Sequence, residues 1–294
     1  MTASIVIPNF NGEKLLEKNL PFVLAAKENL VNDIIEIIVV DDGSQDNSAK
    51  FVKENYPEIK LIKHTKNRGF STTVNTGARM SKGELLVLLN SDVVPEKDFL
   101  VSAMKLFKEK DIFAVSLHEK GYTWAKGFFK DGYLQIGPGK ETSKPHISFW
   151  VSGGSGVFRK EMWKKLGGMD EKLLSPFYWE DIDLCYRAAK RGWKILWDSD
   201  SHVEHKHEST ISKLPRKYVE RIRERNQLLF IWKNIHSPNL IKKHLGGLIA
   251  RVLKHPGYLI VVLMALGRLG IVLVERRKEM KEGKISDEAI FARF

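Results

Sequence analysis

Leu85-Leu-Val-Leu-Leu-Asn-Ser-Asp-Val-Val94 is the stretch on which the fold turns. Five apolar residues run unbroken into Asn90-Ser91-Asp92, and Pro95 follows. A short apolar run without alternation is the pattern of a strand covered on both faces, as in a parallel sheet. Pro95 lacks the N–H that a ladder needs, so the strand is expected to stop before it. Asp92 is thereby expected just past the carboxyl end of a central strand, the rim where open α/β sheets bind ligands. A carboxylate there can hold a divalent cation against a diphosphate. It can also simply cap a helix expected from Glu96 to Lys108.

Working outward, Ser4-Ile-Val-Ile-Pro8, Ile34 to Val40 and Ile59 to Ile62 read as strands. Helical apolar spacing follows each of them, over Glu13 to Lys27, Ser48 to Asn55 and Thr72 to Met80. Pro21 predicts a kink or a fresh start in the first helix. Strands alternating with helices through short links give an α/β fold with a parallel sheet and right-handed crossovers. Further on, Phe113 to Leu117 predicts a fifth strand, whereas residues 118–149 lose periodicity and read as a binding loop or a disordered one. Trp150-Val-Ser-Gly-Gly-Ser-Gly-Val-Phe158 is a glycine-interrupted strand, where a ligand or another backbone can come close. Glu161 to Leu166 and Glu180 to Lys190 read as helices, and Ile195 to Trp197 as the last strand.

The 294 residues carry 48 Lys and Arg against 36 Asp and Glu, a net charge of +12. Residues 211–294 hold 18 basic and 7 acidic side chains, so nearly all of the excess lies there. That asymmetry points to an anionic partner for the C-terminal part. Its basic residues alternate with long apolar runs and not with stacking aromatics, which argues against nucleic acid. Tyr258 to Val274 is apolar apart from Arg268 and two glycines. It is at the lower length limit for a membrane span, and a central arginine costs about 2.5–3.5 kcal/mol on insertion scales. Helices lying in the interface are expected, with Arg251, Lys254, Arg276, Arg277 and Lys278 facing anionic headgroups. A core helix and a true span are the other two readings. A single cysteine, Cys185, excludes an internal disulfide framework and fits a reducing compartment. Met1-Thr-Ala-Ser-Ile runs straight into a strand pattern without the basic head and apolar core of a signal peptide.

Chemistry is concentrated in four places. Asp41-Asp-Gly-Ser44 closes a strand, where a carboxylate can accept the imide N–H of a uracil or thymine ring; a plain turn uses the same residues. Asn67-Arg68-Gly69-Phe70, with Asn75 and Gly77 beyond, offers donors to a diphosphate or base, or merely a loop-to-helix turn. Phe177-Tyr-Trp-Glu180-Asp181-Ile-Asp183 sets two adjacent carboxylates behind three aromatics at a helix start. Aromatic walls raise a carboxylate pKa and a helix N-terminus lowers it, a balance that can leave a base near neutrality. Asp183 reads as structural. Lastly, His202-Val-Glu-His205-Lys-His207 supplies imidazoles that, with Asp92, would complete a Mn2+ or Mg2+ site.

Taken in order, these segments resemble the family 2 glycosyltransferases of the GT-A fold. The matching pieces are Ser4-Ile-Val-Ile-Pro-Asn-Phe-Asn-Gly12, Val39-Val-Asp-Asp-Gly-Ser44, Asn67-Arg-Gly-Phe-Ser71 with Asn75-Thr-Gly77, Leu88-Leu-Asn-Ser-Asp92, Gly167-Gly-Met-Asp-Glu171 and Trp179-Glu-Asp-Ile-Asp-Leu184. The rhamnosyl- and galactofuranosyl-transferase branch looks most similar. The resemblance implies a GT-A domain over residues 1–214, Rossmann-like with a mostly parallel central sheet flanked by helices. Residues 215–294 would be a basic amphipathic helical extension that associates with the membrane.

The resemblance also assigns roles. Asp41 would meet the nucleotide base, with Pro8, Asn9, Asn11, Arg68 and Asn75 around the nucleotide sugar. Asn90, Ser91, Gly153, Gly154 and Trp179 would complete that pocket. Asp92 would bind the divalent cation, Mn2+ or Mg2+, with His205 as second ligand, chosen because Ser209 follows four residues later. Asn90 stands where the family motif carries its first Asp, which leaves one carboxylate fewer. Asp181 would be the general base, with Glu180 beside it. The implied reaction is inverting transfer from a UDP- or dTDP-type sugar to a hydroxyl of a polyprenyl-linked glycan in cell-surface polysaccharide synthesis. The enzyme would be cytoplasmic and bound peripherally to the inner face of the cell membrane. A nucleotidyltransferase, or a non-catalytic nucleotide-sugar or lipid-binding module, are the alternatives; neither explains Trp179-Glu180-Asp181.

Overall fold

The computed structural model describes residues 1–206 and 214–294. Strand β1 (Ala3–Asn9), helix α1 (Glu13–Glu28), β2 (Ile34–Asp41), α2 (Ser48–Asn55), β3 (Lys60–Lys63), α3 (Phe70–Met80) and β4 (Leu85–Leu89) alternate as the apolar pattern predicts. The chain continues through β5 (Val93–Pro95), α4 (Val101–Leu106), β6 (Ile112–Glu119), β7 (Ala125–Lys130), β8 (Tyr133–Pro138), β9 (His146–Ile147), β10 (Ser155–Arg159), α5 (Lys160–Leu166), α6 (Glu180–Lys190) and β11 (Lys194–His205). The main sheet runs in the order β3-β2-β1-β4-β10-β6-β11-β5, with β9 attached to β11. It is mixed and not purely parallel: β10 is antiparallel to both β4 and β6, and β5 and β9 are antiparallel to β11.

Period-two alternation feeds two cores. Ile5, Ile7, Val87 and Leu89 face one of them with α1, α2 and α4. Val6, Val40, Leu86 and Leu88 face the other with α3, α5 and α6. The second core runs on past residue 214, because Leu228, Leu229, Phe230 and Ile231 belong to it.

Local expectations are corrected in five places. Helix α1 is continuous across Pro21. Pro21 and Glu17 are both exposed, so the carbonyl that loses its partner faces water. Pro95 does sit in a strand, but β5 is a three-residue edge strand, the position that tolerates proline. The helix expected from Glu96 to Lys108 is only α4. Residues 118–149 are not featureless: β7 and β8 form an antiparallel hairpin turned by Asp131 (φ 52°) and Gly132 (φ 81°). The last strand is far longer than Ile195 to Trp197; its register shifts between Trp197 and His202, and it carries on to His205.

Beyond residue 214 the described chain is helical: α7 (Arg216–Asn234), α8 (Pro238–Lys254), α9 (Leu259–Leu266), α10 (Leu269–Glu282) and α11 (Asp287–Phe291). Among the described residues no single helix is long and apolar enough to cross a membrane. Pro256–Leu266 and Leu269–Glu282 pass that test only together, bent by 66°. Two of the basic residues expected to face headgroups are half-buried and bonded to partners within the chain. Arg251 donates to Glu224 (2.5 Å) and lies between the Tyr133 and Tyr258 rings, and Arg276 donates to the carbonyls of Trp232 and Ile235 (2.7 Å each).

Candidate active site

Parallel strands bring their carboxyl ends to one rim. Asn9 pairs with Asp41 across β1 and β2, and β4 ends at Leu89 just before Asn90. A cavity of about 380 Å³ opens there, lined by Pro8, Asn9, Asn90, Ser91 and Asp92 from the expected set. Asp42, Asn67, Phe70, Phe177 and Tyr218 complete much of its wall.

His205 reaches this rim because β11 returns antiparallel to β5, with His205 opposite Val93. Its Nε2 lies 3.2 Å from Asp92 Oδ1, and its Nδ1 lies 3.1 Å from Glu119 Oε1. Glu119 is a participant that motif reading missed. It ends an apolar strand just as Asp92 follows one, and that was the available signal. Burial alone would lower the His205 pKa, but the hydrogen bonds and charges of Asp92 and Glu119 outweigh it and raise it to about 9. One carboxylate oxygen beside one imidazole nitrogen suits Mn2+ or Mg2+ with a diphosphate supplying further oxygens. A cation there would displace the imidazole proton. Among the described residues no group of three or more His, Cys, Asp or Glu side chains is arranged to hold a metal. His207 and Ser209 lie outside the described residues.

Asp181 and Glu180 open α6 behind an unusual turn. Tyr178 (φ 70°) and Trp179 (φ 78°) are both left-handed, a costly pair for aromatic side chains. Helix α7 holds the turn in place: Asn226 Nδ2 donates to the carbonyls of Leu174, Phe177 and Tyr178 (2.5, 2.9 and 2.9 Å), and Arg225 donates to Ser175 (2.6 Å). Asp181 accepts from the Gly153 N–H at 3.2 Å. Gly154 adjoins Asn90, whose N–H donates to the Gly154 carbonyl (2.8 Å); a Cβ at 154 would lie 2.4 Å from Asn90 Nδ2. Two glycines therefore connect the Asp181 carboxylate to the Asn90–Asp92 rim, and a side chain at 154 would force that contact apart.

Burial raises the Asp181 pKa to about 6 against the opposing N–H groups of Gly153 and Ile182. Glu180 is 7% exposed, and its Oε2 has no hydrogen-bond partner among the described residues. Burial first, then the charge of Asp181, pushes it well above the usual carboxylate range. Asp183 does structural work: it holds Arg187 (2.7 Å), Lys233 (2.9 Å) and Asn234 (2.8 Å) in a closed network.

Other expected residues brace the cavity without lining it. Asp41 is fully buried, accepting from Asn9 Nδ2 (3.1 Å) and the Ser44 N–H (3.0 Å). Its neighbour Asp42 reaches the wall and takes the N–H groups of Arg68 and Gly69. Asn75 spends its amide on Met169 and Glu171. Trp179 packs on Phe230 (centroids 5.2 Å apart) and not on the cavity. Asn11 ties the β1 loop to Ser44 and Gln45, and the Arg68 side chain is exposed.

Residues 4–167 match the sequence profile of glycosyl transferase family 2. The chain belongs to that family. A pre-mycofactocin glycosyltransferase of Mycobacterium tuberculosis is 28% identical over 185 residues, which cover 60% of this chain and 38% of the relative's length. The chain thus spans well under half of that relative. Among solved structures, GalNAc-T7 with UDP, GalNAc and Mn2+ superposes with a TM-score of 0.60 at 17% identity, covering 89% of this chain and 57% of the other. S. aureus TarS 1–349 with UDP-GlcNAc gives 0.57 at 19% identity, covering 83% and 72%. The family 2 chain therefore has the GT-A fold. The matched profile includes Asp92 but ends before Asp181 and His205; the fold places His205 against Asp92, and joins Asp181 to the rim through Gly153 and Gly154.

Proposed function

We propose that this family 2 chain is an inverting glycosyltransferase that moves a sugar from a UDP- or dTDP-type nucleotide sugar to an acceptor hydroxyl. The observation that carries the reading is Asp181, a carboxylate with a pKa of about 6, held by the N–H of Gly153, whose neighbour Gly154 contacts Asn90. Pro8, Asn9 and Asp42 would receive the nucleoside, and Asn90 and Ser91 the diphosphate. Asp92 and His205 would hold a divalent cation, which when bound offsets charge on the departing diphosphate. Asp181 takes the acceptor's proton during attack, and a single displacement inverts the anomeric centre. Solved relatives of this fold that carry UDP, UDP-GlcNAc or Mn2+ support a nucleotide-sugar donor and a cation.

The acceptor is read as a polyprenyl-linked glycan, met from the cytoplasmic side of a membrane during cell-surface polysaccharide synthesis. The division at residue 214 into a GT-A domain and a basic helical extension goes with this reading. Support comes from the basic C-terminal part and from the apolar side chains that its helices leave exposed.

A panel of UDP- and dTDP-sugars, with and without Mn2+, tests the donor by thermal shift. Stabilisation by at least one sugar nucleotide, strengthened by Mn2+ and lost in Asp92→Ala, is expected. Indifference to every nucleotide sugar, or consumption of a nucleoside triphosphate with diphosphate release, would overturn the reading.

A further inference from the structure

We infer that the groove between the β7–β8 hairpin and α8 seats the phosphate headgroup of an anionic membrane lipid. This rests on the reading that the chain works at a membrane surface. The groove is open and encloses about 1020 Å³. Lys130 from the hairpin and Lys243, Lys254 and His255 from α8 and its end line it, against one acid, Asp131. Among the described residues no carboxylate pairs with Lys130, Lys243 or Lys254, and all three are exposed. Exposed lysines from two elements lining one groove give it a positive potential that attracts anionic headgroups.

The groove is preformed. Buried His244 ties α8 to the hairpin: its Nε2 accepts from Trp232 Nε1 (2.9 Å), so its Nδ1–H donates to the Gly132 carbonyl (2.7 Å). Gly247 lets α8 sit directly on the hairpin turn, since a Cβ there would lie 2.3 Å from the Asp131 carbonyl oxygen.

What sits beside the groove identifies the occupant. Leu245, Ile249 and Leu253 of α8 recur every fourth residue and are 53, 62 and 76% exposed. At that spacing they form one stripe. Next along the chain, Val261 and Ala265 of α9 are buried while Leu259, Ile260 and Leu263 are exposed. A free phosphate would leave this apolar surface in water. A bilayer interface supplies phosphate for the lysines and acyl chains for the stripe together. The 66° bend and the burial of Val261, Ala265 and Val272 fit helices lying along the surface.

The test is co-sedimentation of the full chain with phosphatidylcholine vesicles and with vesicles also containing phosphatidylglycerol. Binding should require the anionic lipid. Each Lys→Ala change at 130, 243 or 254 should weaken it about fivefold, the equivalent of about 1 kcal/mol per lysine. Ile249→Asp should abolish it, whereas Lys14→Ala and Lys18→Ala on α1 should not alter it. Folding is checked by retained thermal stability. Equal loss from the α1 lysines, binding to pure phosphatidylcholine, or competition by inorganic phosphate at matched ionic strength with Ile249→Asp silent would overturn the proposal. Sugar-nucleotide turnover is scored separately: an inactive chain that still binds vesicles through the groove refutes only the catalytic reading.

Discussion

Asp181 and Asp183 stand two residues apart in the first turn of α6, yet their surroundings drive them in opposite directions. Burial would raise both. At Asp183 Lys233 and Arg187 outweigh it, and the pKa falls to about 2. At Asp181 only backbone N–H groups oppose it, and the pKa rises to about 6. Counter-charge is what separates an acid that holds the fold from one left available for proton transfer.

Exchanging each aspartate for asparagine tests that division most severely. Asp181→Asn should lower transfer by about 10²–10⁴ while donor affinity, read by thermal shift, is kept. Transfer near the wild-type rate would break the contrast. Asp183→Asn should do the reverse. It leaves Lys233 and Arg187 buried with less counter-charge, a loss of about 3–5 kcal/mol. Urea unfolding measures this; catalysis per folded molecule should change little. If the Asp183 variant is as stable as wild type, its network is ornamental and the contrast falls from that side.

pH separates the two acids without mutation. A base must be ionised to act, so kcat/KM should be level above the Asp181 pKa and fall about tenfold per pH unit below about 6. Asp183 works in another window. Its pKa is depressed on folding, so the stability it contributes is complete above its ordinary 3.8 and is lost as pH falls towards about 2. A profile with an acid limb near 4, coinciding with unfolding, would assign the loss to the structural acid.

The same contrast explains how far the sequence could be read. Strands β1, β2 and β4 and the rim at Asn90–Asp92 were legible because buried parallel strands are written as plain apolar runs. His205 was legible as a candidate, but its arrival beside Asp92 depends on β11 continuing through an irregular stretch to pair with β5. No local period announces that. Asp41 and Asp42, adjacent and alike in sequence, are both buried, and only the path of the turn decides that Asp42 and not Asp41 lines the cavity. The β7–β8 hairpin had a signal in Asp131-Gly132, an established turn pair, which the glycine- and lysine-rich composition around it obscured. Asn226, bonded to three carbonyls of the Leu174–Tyr178 turn from a helix some fifty residues later, left no trace in the motif it supports.

Glu180 gives the smallest and most discriminating effect. It is buried, its Oε2 lacks a partner among the described residues, and its pKa is raised. A carboxyl whose pKa rises on folding costs stability progressively as pH climbs above its unfolded value, 4.5, because the folded state must keep the proton or bury the charge. Glutamine keeps the shape and never ionises. Glu180→Gln should therefore match wild type near pH ~4 and exceed it increasingly towards neutrality, by about 2–4 °C in Tm for each kcal/mol relieved. Asp181 ionises first and its charge helps hold the proton on Glu180, so the acid limb of kcat/KM should stay where it is in this variant. A variant less stable than wild type at neutral pH would mean that Glu180 has an ionic partner, and that it belongs with Asp183 in the framework and not with Asp181.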